Sequence, residues 1–409
     1  MKKLETTCRI AFFTFAIWFA LRPTEVWSQT PVNCDAGATI RAALSNAKPG
    51  ETLTVSGTCN ESLTIDADIS RITLDGRGTA NIVSPNSTLN TITIRGKEIT
   101  IRGFTVTGGN NGVILQRGAS GTIDGNIIRG NGLAASSCQC ASGILVGPLS
   151  SAVIINNTIE NNGNGISVDE NSNARVGFQV PTVLGLPNII QNNINAGIAV
   201  LHNSSARIIG ATIRNNGGDG VQIERASHVD ISDNSISGNG GNGINVRENS
   251  GVNLDLGRIQ AVAQPNRTHT ELNGGFGITC SLGSYVSGSA GSLMGSKGAL
   301  NADSTCMGLD PLVVGLSFDL ATVAPGETFS TTFSGLNLSL QTYFDVRFGI
   351  SGRNTEQEAL NWQFGTTATH TVPSTIPTGT YSVSAVRAHK ELADHNGPYI
   401  PVSASITVR

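Results

Sequence analysis

The stretch Gly220-Val-Gln-Ile-Glu-Arg-Ala-Ser-His-Val-Asp-Ile-Ser-Asp-Asn-Ser-Ile-Ser-Gly-Asn-Gly-Gly-Asn-Gly243 decides the fold. It holds three short strand patterns, Val221 to Ile223, His228 to Ser232 and Ser235 to Ser237. Val221 alternates with Ile223 and Val229 with Ile231, so each strand offers one apolar face. Polar turns of Gly, Asn, Ser and Asp separate them. No segment reaches the length of a helix.

The unit repeats. A glycine followed by apolar, variable and apolar residues recurs as Gly112-Val-Ile-Leu, Gly143-Ile-Leu-Val, Gly165-Ile-Ser-Val, Gly197-Ile-Ala-Val, Gly220-Val-Gln-Ile, Gly243-Ile-Asn-Val and Gly277-Ile-Thr-Cys. The shortest intervals are 22 and 23 residues, and the longer ones add about ten residues, a loop's worth. Such a period predicts a solenoid with three strands per coil and parallel rungs about 4.8 Å apart. The leucine spacing of leucine-rich repeats is absent. Asn-x-Ile-x-x-Asn recurs as Asn126/Asn131, Asn157/Asn162, Asn188/Asn193 and Asn234/Asn239, and Asn216 follows Ala211 in the remaining coil. Stacked asparagines can hydrogen-bond from rung to rung and tolerate left-handed turns.

These residues resemble the right-handed parallel β-helix repeat proteins of the pectin-lyase-like superfamily, over about residues 38–306. The resemblance implies an all-β, right-handed, three-stranded parallel β-helix. Thr39 to Ala47 places Ile40, Ala43, Leu44 and Ala47 on one helical face and resembles the helix that caps such a coil. The superfamily includes polysaccharide lyases, polygalacturonase-type hydrolases, uronan epimerases, tailspikes and adhesins, so it does not select an activity.

Composition agrees with many short strands. The 409 residues include 49 Gly, 39% hydrophobic, 13% charged and 5% aromatic residues. The net charge of −3 without basic runs argues against nucleic-acid binding. Residues 1–28 read as an export signal: Lys2, Lys3 and Arg9, then an apolar run from Ile10 to Leu21, then small residues Val26 and Ser28. The alternative is an uncleaved anchor. Cleavage after Ser28 predicts a secreted or periplasmic protein with no membrane span in the mature chain. Six cysteines then remain, which allow 15 pairings. Sequence proximity suggests Cys34–Cys59, Cys138–Cys140 and Cys280–Cys306. Cys138-Gln139-Cys140 lacks the further ligands of a metal site, and neither metal nor cofactor is expected.

After Cys306 the period stops. Longer alternating runs begin at Val313, Thr328, Tyr343, Ala368, Thr380 and Val402. They predict a small antiparallel, immunoglobulin-like β-sandwich over 310–409, following a β-helix domain over 29–309. Trp362 is expected in its core.

Stacking the Gly-Ile-x-Val strands gives an outward column of Ile114, Leu145, Ser167, Ala199, Gln222, Asn245 and Thr279. The next two columns bring Asp169, Glu170, His202, Glu224, Arg225, Arg247 and Glu248 together. Asp169, His202, Glu224 and Arg247 are the candidate catalytic groups. Glu170, Gln222, Arg225, Asn245 and Glu248 are the candidate binding groups. Asp169 and Glu224 lie two rungs apart, roughly 9.6 Å, marginal for a hydrolase pair. A lyase would need Arg247 or a histidine-assisted group as base. The same charges can simply pair across rungs. The chain lacks the Asn-Thr-Asp, Asp-Asp and Gly-His-Gly of polygalacturonase-type hydrolases, the Asp-Pro-His-Asp of alginate epimerases, and the clustered aspartates and paired arginines of pectate lyases. The expectation is therefore a polysaccharide-binding, surface-binding or structural protein. The alternative is a polysaccharide lyase or glycoside hydrolase working on the Gly-Ile-x-Val sheet.

Overall fold

The computed structural model describes residues 29–409 apart from 134–140, 178, 181–182, 185–186, 255–268, 288–291, 299, 304, 307–311, 337, 339–341, 352, 354–355, 390–391, 393–394 and 396–398. The expected leader, Cys138, Cys140 and the Asp310-Pro311 boundary lie outside the described residues.

The repeat folds as a parallel β-helix with three faces. The Gly-Ile-x-Val strands form a ten-stranded parallel sheet from Leu63–Ile65 to Leu300–Ala302, called the first face. Its pairing follows the repeat: Ile114, Leu145, Ser167, Ala199, Gln222, Asn245 and Thr279 are successive partners. The second face carries Ser120–Asp124, Ser151–Ile155, Asn173–Val176, Ser205–Ile209, His228–Ser232, Gly251–Asn253 and Tyr285–Ser287. The third includes Ile127–Arg129, Thr158–Glu160, Ile189–Gln191, Thr212–Arg214 and Ser235–Ser237. Thr73–Val83 and Ile99–Thr107 run across the corner between the second and third faces and join them into one ladder. Val221, Ile223, Val229, Ile231 and Ile236 are fully buried in one coil, and their equivalents stack along a single core.

Asparagines line the coil interior at the corners flanking the third face. Asn131, Asn162, Asn193, Asn216, Asn239 and Asn273 form one ladder, each backbone N–H donating to the next Oδ1 at 3.0–3.1 Å. Asn126, Asn157 and Asn188 form a second. Ala211 interrupts it and donates its own N–H to Asn234 at 2.8 Å. One expectation is corrected here: the left-handed residue is the one before the ladder asparagine, in every rung but those of Asn188 and Asn273. Gly125, Gly130, Asn156, Asn161, Asn192, Asn215, Asp233 and Gly238 hold φ between 54° and 67°. A third ladder had no sequence signal. Ser150, Ser172, Ser204, Ser227, Ser250 and Ser284 are buried, and from Ser172 onward each hydroxyl accepts the N–H of the preceding rung's serine at 3.2 Å.

A helix, Ile40–Leu44, packs on the open end, shorter than the expected span. Ile40 and Leu44 are buried, with Ala43 and Ala47 against the same core. A strand not expected from the sequence, Gln29–Asn33, pairs parallel with Thr52–Ser56. Disulfides join Cys34 to Cys59 and Cys280 to Cys306.

The C-terminal region forms two further sheets. One orders Leu312–Phe318, Thr328–Leu336 and Thr367–Thr371. The other orders Thr322–Val323, Ile400–Val408, Gly379–His389, Tyr343–Ile350 and Gln357–Phe364. All pairings are antiparallel except the short Thr322–Val323 edge. Trp362 packs against the core containing Phe333 and Phe344, stacked on His370 at 4.6 Å between ring centroids.

Candidate functional site

The charged residues of the first face gather at its corner with the second. Glu170, His202, Arg225 and Glu248 all sit at positive φ, between 50° and 59°, because the corner turns there. They form a chain along the stack. Asp169 Oδ1 contacts His202 Nδ1 at 2.5 Å, His202 Nε2 contacts Arg225 Nη1 at 2.6 Å, and Arg225 Nε lies 3.5 Å from Glu248. Arginine only donates, so Nε2 of His202 accepts and Nδ1–H points to Asp169. The lone pair a general base would need is occupied.

Glu224 is 3% exposed and accepts hydrogen bonds from Gln222 and from Arg247 Nε, each at 2.5 Å. That bond with Glu224 raises the Arg247 pKa further above its ordinary value, the reverse of what a base requires. Asn245 donates to Asp219 at 2.8 Å and accepts from Thr279 at 2.8 Å. Glu170 is exposed and offers its backbone N–H to Asp169. The centre of this sheet offers little bare surface: Ile114, Ser167 and Ala199 point outward yet are only 7%, 6% and 3% exposed. The structure brings the nine candidate residues to one face and commits most of their charges to one another.

An open groove of about 800 Å³ lies on the second face instead. Two outward columns build it. Thr100, Thr122, Val153, Arg175, Arg207 and Asp230 are successive partners in one. Ser120, Ser151, Asn173, Ser205 and His228 are partners in the other. Gly121, Ala152, Ala174 and Ala206 lie between them and keep the floor low. Arg175 and Arg207 stand on adjacent rungs. Among the described residues Arg207 has no hydrogen bond or ion pair, so its charge faces solvent.

Gly251 and then Tyr285 continue the His228 column. Tyr285 leans back two rungs over Gly251, where an added Cβ would stand 2.1 Å from the ring. Its hydroxyl meets His228 Nδ1 at 2.5 Å, with the rings stacked at 5.7 Å. His228 Nε2 lies 3.5 Å from Asp230. Burial raises the Tyr285 pKa, and the nearby charge of Asp230 adds to this. Sequence reasoning missed this groove because it stacked only the Gly-Ile-x-Val strands. The same stacking applied to the His228-Val-Asp-Ile-Ser strand would have displayed it.

The family model described as the right-handed β-helix region matches residues 55–180 and 187–287, more than half of the chain. No curated protein matches the chain in sequence. Among solved structures the chain is similar to an alginate lyase from Paenibacillus sp. FPU-7, at 17% identity and a TM-score of 0.35, covering 68% of this chain and 99% of that one. It is also similar to the A-module of a mannuronan C-5 epimerase from Azotobacter vinelandii, at 13% identity and a TM-score of 0.31, covering 69% and 89%. With its three-faced parallel coil and this match, the chain belongs to the right-handed β-helix family.

Proposed function

We propose that this protein is exported and binds an acidic polysaccharide along the groove of its second face. The observation that carries the reading is the open groove with Arg175 and Arg207 on successive rungs, roughly 4.8 Å apart. An elongated ligand suits an elongated groove. Hydroxyl and amide side chains from Ser120, Ser151, Asn173 and Ser205 supply sugar-compatible hydrogen bonds along one edge, and the arginines supply forked donors for carboxylates. Two disulfides support an oxidising destination. No helix among the described residues is long and apolar enough to cross a membrane. The ionic corner of the first face serves the fold, since its charges pair across rungs.

Affinity electrophoresis of the purified full chain in gels cast with neutral or acidic polysaccharides tests this. Retardation is expected with acidic polymers, weakening as salt rises. Arg207→Glu should abolish it, whereas Arg225→Glu at the first-face corner should leave it. Retardation by neutral polymers alone, or its loss in Arg225→Glu with Arg207→Glu unaffected, would overturn the groove assignment.

A further inference from the structure

We infer that the C-terminal sheets hold a neutral, two-ring aromatic alcohol in the cavity between them, with its hydroxyl bonded to His370. The inference is independent of the groove on the coil. The cavity measures about 300 Å³. Phe318, Phe329 and His370 line it from one sheet, and Phe348, Trp362 and Tyr381 from the other.

The cavity lies where the apolar core of this region divides. Val346 and Val383 belong to one buried cluster, Val323 and Val408 to another, and all four line the cavity. Protein interiors pack at crystal-like density, and an empty volume between such clusters costs stability. An apolar cavity of about 150 Å³ takes benzene, so about twice that volume takes two fused rings. No Asp, Glu, Lys or Arg side chain lines it, so a charged ligand would be desolvated there without a counter-ion.

His370 supplies the directional contact. Its ring stacks on Phe329, its partner across the strand pair, at 5.4 Å between centroids, and on Trp362 of the other sheet at 4.6 Å. Gln363 donates its Nε2 to Gly365 O at 2.7 Å, which identifies the end facing His370 as Oε1. That oxygen lies 3.1 Å from His370 Nε2 and can only accept. Thr331 Oγ1 gives its own proton to the same Oε1 and lies 3.0 Å from Nε2, so it accepts as well. Nε2 therefore carries the proton of the neutral imidazole. Burial lowers the His370 pKa and favours that neutral form. Nδ1 keeps its lone pair and has no hydrogen-bond partner among the described residues. The Nε1–H of Trp362 has none either. Neither nitrogen is sealed from accessible space. A hydroxyl answers both, because it donates one hydrogen bond and accepts another. An ether or ketone offers Nδ1 nothing.

Calorimetry of the full chain with 2-naphthol and with 2-methoxynaphthalene tests this. Naphthol should bind about tenfold more tightly, the worth of one hydrogen bond. His370→Phe keeps a ring in the stack and removes the acceptor, so the two probes should then bind alike. Val383→Phe fills the cavity and should weaken naphthol binding by about tenfold or more. Ile376→Asp places a charge at a half-buried loop position of the lining and should do the same. It decides the matter if Val383→Phe does not fold. Absence of binding by either probe at millimolar concentration would overturn the proposal. Undiminished binding in Ile376→Asp would place the molecule elsewhere and overturn it too. A naphthol preference that survives His370→Phe would remove the hydrogen bond on which the ligand's chemistry rests.

Discussion

Asn193 is a buried polar residue in an apolar coil, and all its polar atoms are engaged. Its Oδ1 accepts from the N–H and side chain of Asn162, its own N–H and Nδ2 donate to Asn216, and Nδ2 also reaches Ile159 O. Asn193→Ala would leave several of these groups buried without partners, at roughly 2–4 kcal/mol. Asn192, one residue earlier, is exposed and at φ 55°. Asn192→Gly should change stability by less than about 1 kcal/mol, because glycine adopts that conformation freely. Melting temperatures of the two variants check the assignment. Equal losses would mean that the ladder and the left-handed turn had been exchanged.

At the scale of the element, the solenoid's far end depends on a covalent closure. Cys280 is the last residue of the strand Ile278–Cys280, fully buried, and its partner Cys306 lies 26 residues on. Replacing both by alanine should reduce stability by about 3 kcal/mol through the freed loop, measured by denaturant unfolding. Loss of the Cys34–Cys59 bond at the opposite end should not add to a local opening there. Much of this architecture was legible in the chain, for a physical reason. A solenoid repeats its contacts, so the glycine spacing carried the first-face register from Ile114 to Thr279 without error. The candidate site was not legible in the same way. Tyr285 and His228 are 57 residues apart and unlike each other, and they meet because Gly251 breaks a column. A repeat displays likeness, whereas this contact is made by an exception. The strand Gln357–Phe364 was missed because the adjacent apolar pair Ala359 and Leu360 breaks its alternation.

Across the whole molecule, the two regions bury different polar chemistry, and acid should separate them. The coil satisfies its interior with asparagine amides and serine hydroxyls, none of which titrates in acid. The C-terminal sheets enclose Asp345, which has no solvent exposure. Burial by itself pushes its carboxyl up. The Asn361 N–H, His395, Arg387 and His389 together outweigh that and lower the pKa from 3.8 to about 2. Arg387 holds Asp345 at 2.7 Å and reaches toward Glu358 at 3.7 Å, with Tyr399 packed beneath its guanidinium. A folded-state pKa below the unfolded one stabilises the fold fully above about pH 4 and is lost as pH falls through about 2. The contribution is about 2 kcal/mol. Pepsin digestion of the full chain between about pH 4 and pH 2 should therefore release peptides from 312–409 while 55–287 stays intact. Asp345→Asn should make the C-terminal region weaker at neutral pH, through loss of the ionic contacts, and should flatten its acid dependence. Release of coil peptides first, or an unchanged acid profile in Asp345→Asn, would place the acid-sensitive group elsewhere.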